Sequence, residues 1–468
     1  MINTIVDVVN NVLWGEGRVL IYMLVVAGIW FSVKLRFVQF RHFTHMFSIM
    51  RGSTQSNESG ISSFQALCTS LSARVGTGNL AGVAVAISLG GAGAVFWMWV
   101  IAFLGMATGF AESVLGQLYK VRDDNKEFRG GPAYYIKQGL GQHWLAVLFS
   151  LSLFLGYGLM FGSVQANTIT DAINHAYAIP TNYTGIVIVV LAAMVIVGGI
   201  RAIANFAEWV VPIMAGAYLL VVVVITLMNI TAVPGVLADI VNSAFGLGEA
   251  GAGAMGAAIK HGIQRGLYSN EAGSGSAPHA AACAAPQPNH PVSQGYVQML
   301  GVFVDTIVLC TCTATVILLA GVGGGEEMEG IRLTQDAMTS HLGVAGTHFV
   351  TAAVTLFAFT SVVANYAYGE NNLHMFKLDH KVGRGCYMVV YLAMVMWGSV
   401  ASLKSAWAMA DMALGLMTLI NIVAIIWLTP TIVAISSDYF NKHETGGDME
   451  YKTGDCEIQG KSEKDVWG

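Results

Sequence analysis

Residues 72 to 79 read Ser-Ala-Arg-Val-Gly-Thr-Gly-Asn, in the middle of an apolar stretch long enough to cross a membrane. Two glycines and several polar side chains oppose a continuous helix there. Non-helical backbone at membrane depth persists only where it lines a cavity or is buried in protein, so this octet predicts a binding site. The amides freed at the start of the second half-helix carry partial positive charge and suit an anion such as a carboxylate. A second interruption follows at Leu267 to Pro278, where Gly266, Gly273, Gly275 and Pro278 all oppose a helix. Glycines that merely let helices pack closely are the plainer explanation. Two polar, multi-glycine interruptions separated by five apolar spans weaken it.

The elements that position these breaks follow from composition. The 468 residues are 55% hydrophobic and 11% charged, which excludes an ordinary soluble domain and gives an all-α integral membrane protein. Runs of ~20 apolar residues, each matching ~30 Å of hydrocarbon, give about eleven transmembrane helices. They fall near 17-34, 62-88, 93-119, 144-175, 183-201, 205-230, 251-285, 295-321, 345-370, 386-403 and 407-434. Nothing at the N-terminus has the basic start and small-residue cleavage site of a secretory signal. Setting the first span aside leaves ten, with breaks in the first and sixth, and that symmetry predicts a five-plus-five inverted repeat. The chain thus divides into an extra helix and amphipathic segment (1-60), a ten-helix core (61-435, repeats near 61-230 and 250-435) and a polar tail (436-468) expected to be disordered. Lysines and arginines concentrate in alternate loops; the other loops hold only Arg18, Arg332 and Lys404. The N-terminus is therefore expected outside and the C-terminus in the cytoplasm.

Other features admit plainer explanations. Lys34 to Arg51 mixes phenylalanines with Arg36, Arg41 and His42 and reads as an amphipathic helix on the cytoplasmic face. Glu326, Glu327, Glu329, Arg332 and Asp336 mark an outer lid or a solvated connector. The six cysteines show neither paired nor metal-ligand spacing. Of the ionisable residues within spans, Arg74 and Glu271 each sit in a break and either bridge the two or pair elsewhere, so neither has an assigned role. Glu112, Glu208, Asp305, Glu370 and Asp411 read as structural pairs or span-end residues.

The stretch Gly90-Gly-Ala-Gly-Ala-Val-Phe-Trp-Met-Trp-Val-Ile-Ala-Phe-Leu-Gly105 is similar throughout to the signature of the alanine or glycine:cation symporters, also called sodium:alanine symporters, of bacteria and archaea. By itself it carries no chemistry, since Phe96, Trp97 and Trp99 read as an interfacial aromatic belt. The resemblance covers about Ser63 to Pro430, and that family resembles the wider leucine-transporter-like group of sodium symporters. In that group the first broken helix carries a run matched here by Val75-Gly76-Thr77-Gly78-Asn79.

The resemblance implies a substrate carboxylate on the backbone amides of Thr77 and Gly78, with Asn79 as brace or ligand. It implies a sodium ion between the first broken helix and the eighth core span, held by carbonyls of Ser72, Val75 and Phe357 and hydroxyls of Thr360 and Ser361. A Thr-Ser pair in a helix ordinarily bonds back to its own carbonyls. In the third core span, Gln165 and Asn167 either hold the ligand or join helices. Ser269, Asn270 and the Gly273-Ser274-Gly275 backbone would offer oxygens to a substrate ammonium, with Tyr268 flooring the pocket.

The implied function is symport of a small neutral amino acid, alanine or glycine, into a prokaryotic cell across its plasma membrane. Sodium would be the coupling ion, and core spans one, two, six and seven would rock against the rest. Neither enzyme chemistry, nor a cofactor, nor a nucleic-acid partner is expected. Proton coupling is an alternative. An intramembrane serine hydrolase built on Ser274, Ser276, His279 and His261 lacks a nucleophile elbow, and a channel lacks a filter loop.

Overall fold

The computed structural model describes residues 2-15, 19-51, 53-123, 126-247, 251-321 and 330-467. Among them six helices are long and apolar enough to cross a membrane: Gly93–Leu118, His143–Tyr177, Gly199–Met228, Pro291–Ala320, Val344–Phe376 and Leu403–Trp427. Shorter or less apolar helices, Val19–Lys34, Thr181–Ile196 and Lys381–Val400, occupy three further expected spans. Helix Gly199–Met228 exposes Trp209, Ile213, Leu220 and Leu227 on one side, as a lipid-facing surface requires.

Packing divides the helices into two sets. Gly93–Leu118 is lined by Gly251–Asn270 and Pro291–Val302, whereas Phe161–Tyr177 packs on Val344–Leu373 and Lys381–Val400. Ser63–Arg74 lies against Gly199–Met228 and Val344–Leu373, so the first half of the first broken helix touches the second set.

Both expected breaks are present. Ser62 starts the first broken helix through a reciprocal cap with Gln65: each side chain accepts from the other's backbone amide, at 3.1 and 3.0 Å. The α-helix ends at Arg74, Val75 is non-helical (φ −75°, ψ 85°), and the chain resumes as a π-helix over Gly78–Gly82 before Val83–Gly90. The second broken helix stops at Asn270 and restarts at Ala277. Between them Glu271, Gly273 and Gly275 have φ of +58°, +91° and +87°, conformations that glycine adopts without steric cost.

Three expectations are corrected. The interval 201-204, read as a loop, lies inside helix Gly199–Met228. The span 407-434 is two helices, Leu403–Trp427 and Thr429–Thr445, because Pro430 occupies the first turn of the second and cannot continue the first. The tail after Ser436 is ordered: helix Thr429–Thr445 crosses the boundary at 435, and the chain then folds back across the end of the bundle. Buried Tyr451 donates its amide to the Asn289 carbonyl (3.0 Å), and the Trp467 indole donates to Leu118 O (3.0 Å). Two aromatic anchors outweigh the polar composition that suggested disorder. Helices Ile2–Leu13, Val233–Ala244 and Ile331–Leu342 were not expected. Arg18, Glu326, Glu327 and Glu329 lie outside the described residues, and Arg332 pairs with Asp171 at 2.5 Å.

Short helices Val38–Arg41 and Phe43–Ile49 lie beside helix Thr429–Thr445 and bring His42, His45 and His443 together, the closest ring centroids being 4.4 Å apart. Burial, then Arg41 and His443, lowers the His42 pKa to about 4. Burial, His443 and His42 do the same for His45.

Candidate functional site

The first break is stitched by neutral side chains from three elements. The Gln165 amide oxygen accepts from Thr77 N (2.9 Å), and Asn79 Oδ1 accepts from Gly76 N (3.1 Å). The Ser361 hydroxyl lies 2.8 Å from Ser72 O, 3.1 Å from Phe357 O and 3.5 Å from Val75 O. Thr360 Oγ1 donates to Phe357 O (2.8 Å), and Ser72 Oγ donates to Thr360 O (2.9 Å). The five residues expected around an ion are thus linked where helix Ser63–Arg74 ends against helix Val344–Leu373, with both hydroxyls also bonded back to Phe357 O as a helical Thr-Ser pair ordinarily is. Their oxygens are neutral and buried, the donor set a small hard cation accepts. Gly76 stands between this cluster and Gln165: a Cβ there would strike the Ser361 hydroxyl and lie 2.6 Å from Gln165 Oε1. A side chain at this position would have to displace the two groups that hold the break.

The second break is held by an acidic side chain. Glu112, fully buried on helix Gly93–Leu118, accepts from Gly273 N and Gly275 N, one carboxylate oxygen each at 3.1 Å. Asn421 donates to the same carboxylate (2.7 Å) and to Gly273 O (3.0 Å), and Tyr135 donates to Asn421 Oδ1. The Gly273 and Gly275 amides are thus committed to Glu112.

A second carboxylate joins the two breaks. Asp305 accepts from Asn79 Nδ2 (2.8 Å), Ser269 Oγ (2.8 Å) and Thr306 Oγ1 (2.8 Å). It lies in a π-helical stretch, Phe303–Cys310, and another such stretch, Gly156–Met160, carries Tyr157. The π-helical stretch Gly78–Gly82 packs against Phe303–Cys310, while Gly156–Met160 packs on Val344–Leu373 and Leu403–Trp427.

A narrow, nearly closed cavity of about 10 Å³ lies between the breaks, lined by Arg74, Tyr157, Gln165, Tyr268, Glu271 and Asn365 among others. Tyr268 packs against Trp407 (4.7 Å) and Phe161 (5.9 Å), and the Arg265 guanidinium lies 4.6 Å over the Trp407 ring. Arg265 is paired with Asp411, which also accepts from Gln264 (3.0 Å). This aromatic and ion-pair layer separates the cavity from a pocket of about 500 Å³ bordered by Asp7, Lys260 and Lys404.

The chain matches the model of the sodium:alanine symporter family over residues 1–453. It belongs to that family. Its relatives include the amino-acid carrier protein AlsT of Bacillus subtilis, 43% identical over 99% of this chain and 97% of that one. The probable sodium/glutamine symporter GlnT of the same organism is 42% identical over 95% and 92%. The sodium/alanine symporter AgcS of Methanococcus maripaludis is 38% identical over 92% and 96%. The family consists of transporters, and this chain is a membrane transporter rather than an enzyme.

As a member of the sodium:alanine symporter family the chain brings most of the expected site residues together, in unequal roles. Thr77, Gln165 and Tyr268 lie at or beside the cavity. Gly78 touches the second break, where a Cβ would lie 3.0 Å from Ser269 Cα. Asn79 and Ser269 point to Asp305, Gly273 binds Glu112, and Asn270 Oδ1 accepts from Ala272 N (3.0 Å). Ser274 donates to Glu271 O (2.7 Å). Asn167 joins helices, donating to Gly398 O and Ala401 O at 3.0 and 2.8 Å. Ser276 donates to the Glu271 carboxylate, while His279 Nδ1 faces Asn371, so no serine–histidine pair forms there. Glu112 and Asp305 had been read only as structural pairs, and Tyr157 and Asn365 were not anticipated. The available signal was the two acids themselves, each alone in an apolar span.

Proposed function

We propose that this transporter carries a small neutral amino acid, alanine or glycine, into a prokaryotic cell together with sodium, by alternating access. The Ser361 hydroxyl carries this reading, because it gathers carbonyls of the first broken helix and of helix Val344–Leu373. Sodium seated among Ser72, Val75, Phe357, Thr360 and Ser361 would fasten the unwound backbone to its neighbour and favour the conformation that binds substrate. The coupling is reciprocal, so substrate would raise sodium affinity equally. Helices Gly93–Leu118, Gly251–Asn270 and Pro291–Val302 would rock, with the breaks, against the other set. The loop arginines and lysines favour an outer N-terminus and a cytoplasmic C-terminus. In that orientation the Arg265–Asp411 layer is the outer closure.

The narrow cavity favours alanine or glycine over glutamine, which the name of one relative carries. The test is uptake of labelled alanine and glycine into proteoliposomes under an imposed sodium gradient, a proton gradient, or neither. Glutamine and larger amino acids serve as competitors. Sodium-driven uptake of alanine or glycine, resistant to glutamine, is expected; uptake driven by a proton gradient alone would replace sodium by protons in this scheme.

A further inference from the structure

Arg74 was the residue of the first break to which the sequence assigned no task. Its side chain is buried, with 2% of the residue exposed. Gly301 of the seventh core helix leaves room for the guanidinium, since a Cβ there would strike it. Only Nη1 has a protein partner, Gln298 O at a long 3.3 Å; Nε and Nη2 have none. A buried cation with three of its five N–H donors unmet is costly, and such groups mark sites that something else completes.

Glu271 lines the same cavity, held in a left-handed conformation by the second break, with Ser276 donating to one of its carboxylate oxygens (2.7 Å). No hydrogen bond joins Arg74 to Glu271. The cavity also presents the Tyr268 hydroxyl and Asn365 Oδ1, neither with a protein partner. A guanidinium and a carboxyl group therefore line one narrow space without a hydrogen bond between them. A molecule that carries a carboxylate and an ammonium on one carbon completes both.

We propose that Arg74 and Glu271 are the charged anchors of the transported amino acid, the guanidinium taking its carboxylate through Nε and Nη2 and the Glu271 carboxylate taking its ammonium. This rests on the amino-acid reading above and deepens it. A guanidinium edge matches a carboxylate with two parallel hydrogen bonds. The assignment also leaves the Thr77 amide with Gln165, at 2.9 Å, rather than requiring substrate to displace it. The substrate's α-carbon then sits between the two breaks, touching both, and its side chain is directed toward Tyr268 and Phe161. Arg74 thus selects for the carboxylate and Glu271 for the ammonium, whichever small side chain lies between.

The test uses the full chain in proteoliposomes, with uptake of labelled alanine competed by alaninamide, which lacks the carboxylate, and by propionate, which lacks the ammonium. In the wild type both competitors should be at least tenfold weaker than alanine, since charge-assisted contacts of this kind are worth about that factor or more. Arg74→Gln should raise the alanine KM roughly tenfold or more and erase the preference over alaninamide; Arg74→Lys should restore part of it. Glu271→Gln should erase the preference over propionate and leave that over alaninamide. An unchanged KM and unchanged preferences in Arg74→Gln would overturn the proposal, as would a lowered kcat at unchanged KM, the mark of a gating pair. Should Arg74→Gln not fold by size exclusion, competition by alaninamide as strong as alanine's, in the wild type and Arg74→Lys, would overturn it instead. Sensitivity of KM to Gly78→Val but not to Arg74→Gln would return the carboxylate to the Thr77 and Gly78 amides. A wild type that takes up neither alanine nor glycine under any gradient contradicts the transport reading itself, and is scored before any variant.

Discussion

Both breaks interrupt helices that border one cavity, yet they are held by different groups. The first is satisfied by neutral groups on neighbouring helices: Gln165 on Thr77, Asn79 on Gly76, and Ser361 among the carbonyls of Ser72 and Val75. The second is satisfied by the Glu112 carboxylate, one oxygen for each of two amides. Neutral hydrogen bonds exchange for an ion or ligand at little net cost, whereas removing a buried acid leaves its amide partners unsatisfied. One break is thus held by several neutral groups and the other by a single acid, and the first carries the proposed coupling.

The comparison breaks most completely at Gly76. Gly76→Val drives methyl groups into both Ser361 and Gln165 and should abolish sodium-driven uptake, with Gly78→Val, pressed on Ser269, close behind; labelled-alanine uptake reads both. Next is Glu112→Ala, which strands the Gly273 and Gly275 amides. It should cost at least ~1–3 kcal/mol and lower the thermal midpoint by several degrees, with sodium and substrate unable to restore it. Ser361→Ala should do the reverse, raising the sodium concentration for half-maximal uptake several-fold while leaving the sodium-free midpoint within about a degree. Equal losses of stability from Glu112→Ala and Ser361→Ala would erase the distinction between the breaks.

A region remote from both breaks supplies the smallest effect and a control. His42 and His45, lowered to about 4 from 6.5, are neutral when folded and charge readily when unfolded. Their contribution is complete above pH 6.5 and is lost as pH falls from about 6.5 toward 4, because the unfolded chain then binds more protons. The thermal midpoint should decline across that window by more in the wild type than in His42→Asn/His45→Gln. The sodium dependence of uptake at pH 7.5 should be the same in both proteins.

The breaks were legible because glycine and polar residues inside an apolar run violate two rules at once, helix propensity and the exclusion of unsatisfied backbone from hydrocarbon. The cluster around Ser361 was legible only through family resemblance, since a Thr-Ser pair has no distinctive spacing; it was the carbonyls of Ser72 and Val75, 289 and 286 positions away, that gave the hydroxyl its setting. Glu112 was visible as an acid in the wrong place, but its partners are backbone amides, which leave no trace in residue type. The π-helical segments were equally silent, because no side chain encodes an i→i+5 turn. Tail docking rests on Tyr451 and Trp467, two anchors diluted among charges and glycines that averaging over composition conceals.

Asp305 takes hydrogen bonds from Asn79 of one break and Ser269 of the other, so neither half-site can rearrange without tugging its counterpart. Under the proposed sodium coupling that shared carboxylate would act as a seal against slippage, since ion movement without cargo would dissipate the gradient. Asp305→Asn, which keeps the shape but trades one acceptor for a donor, should show the failure as sodium-22 entry into vesicles that contain no amino acid.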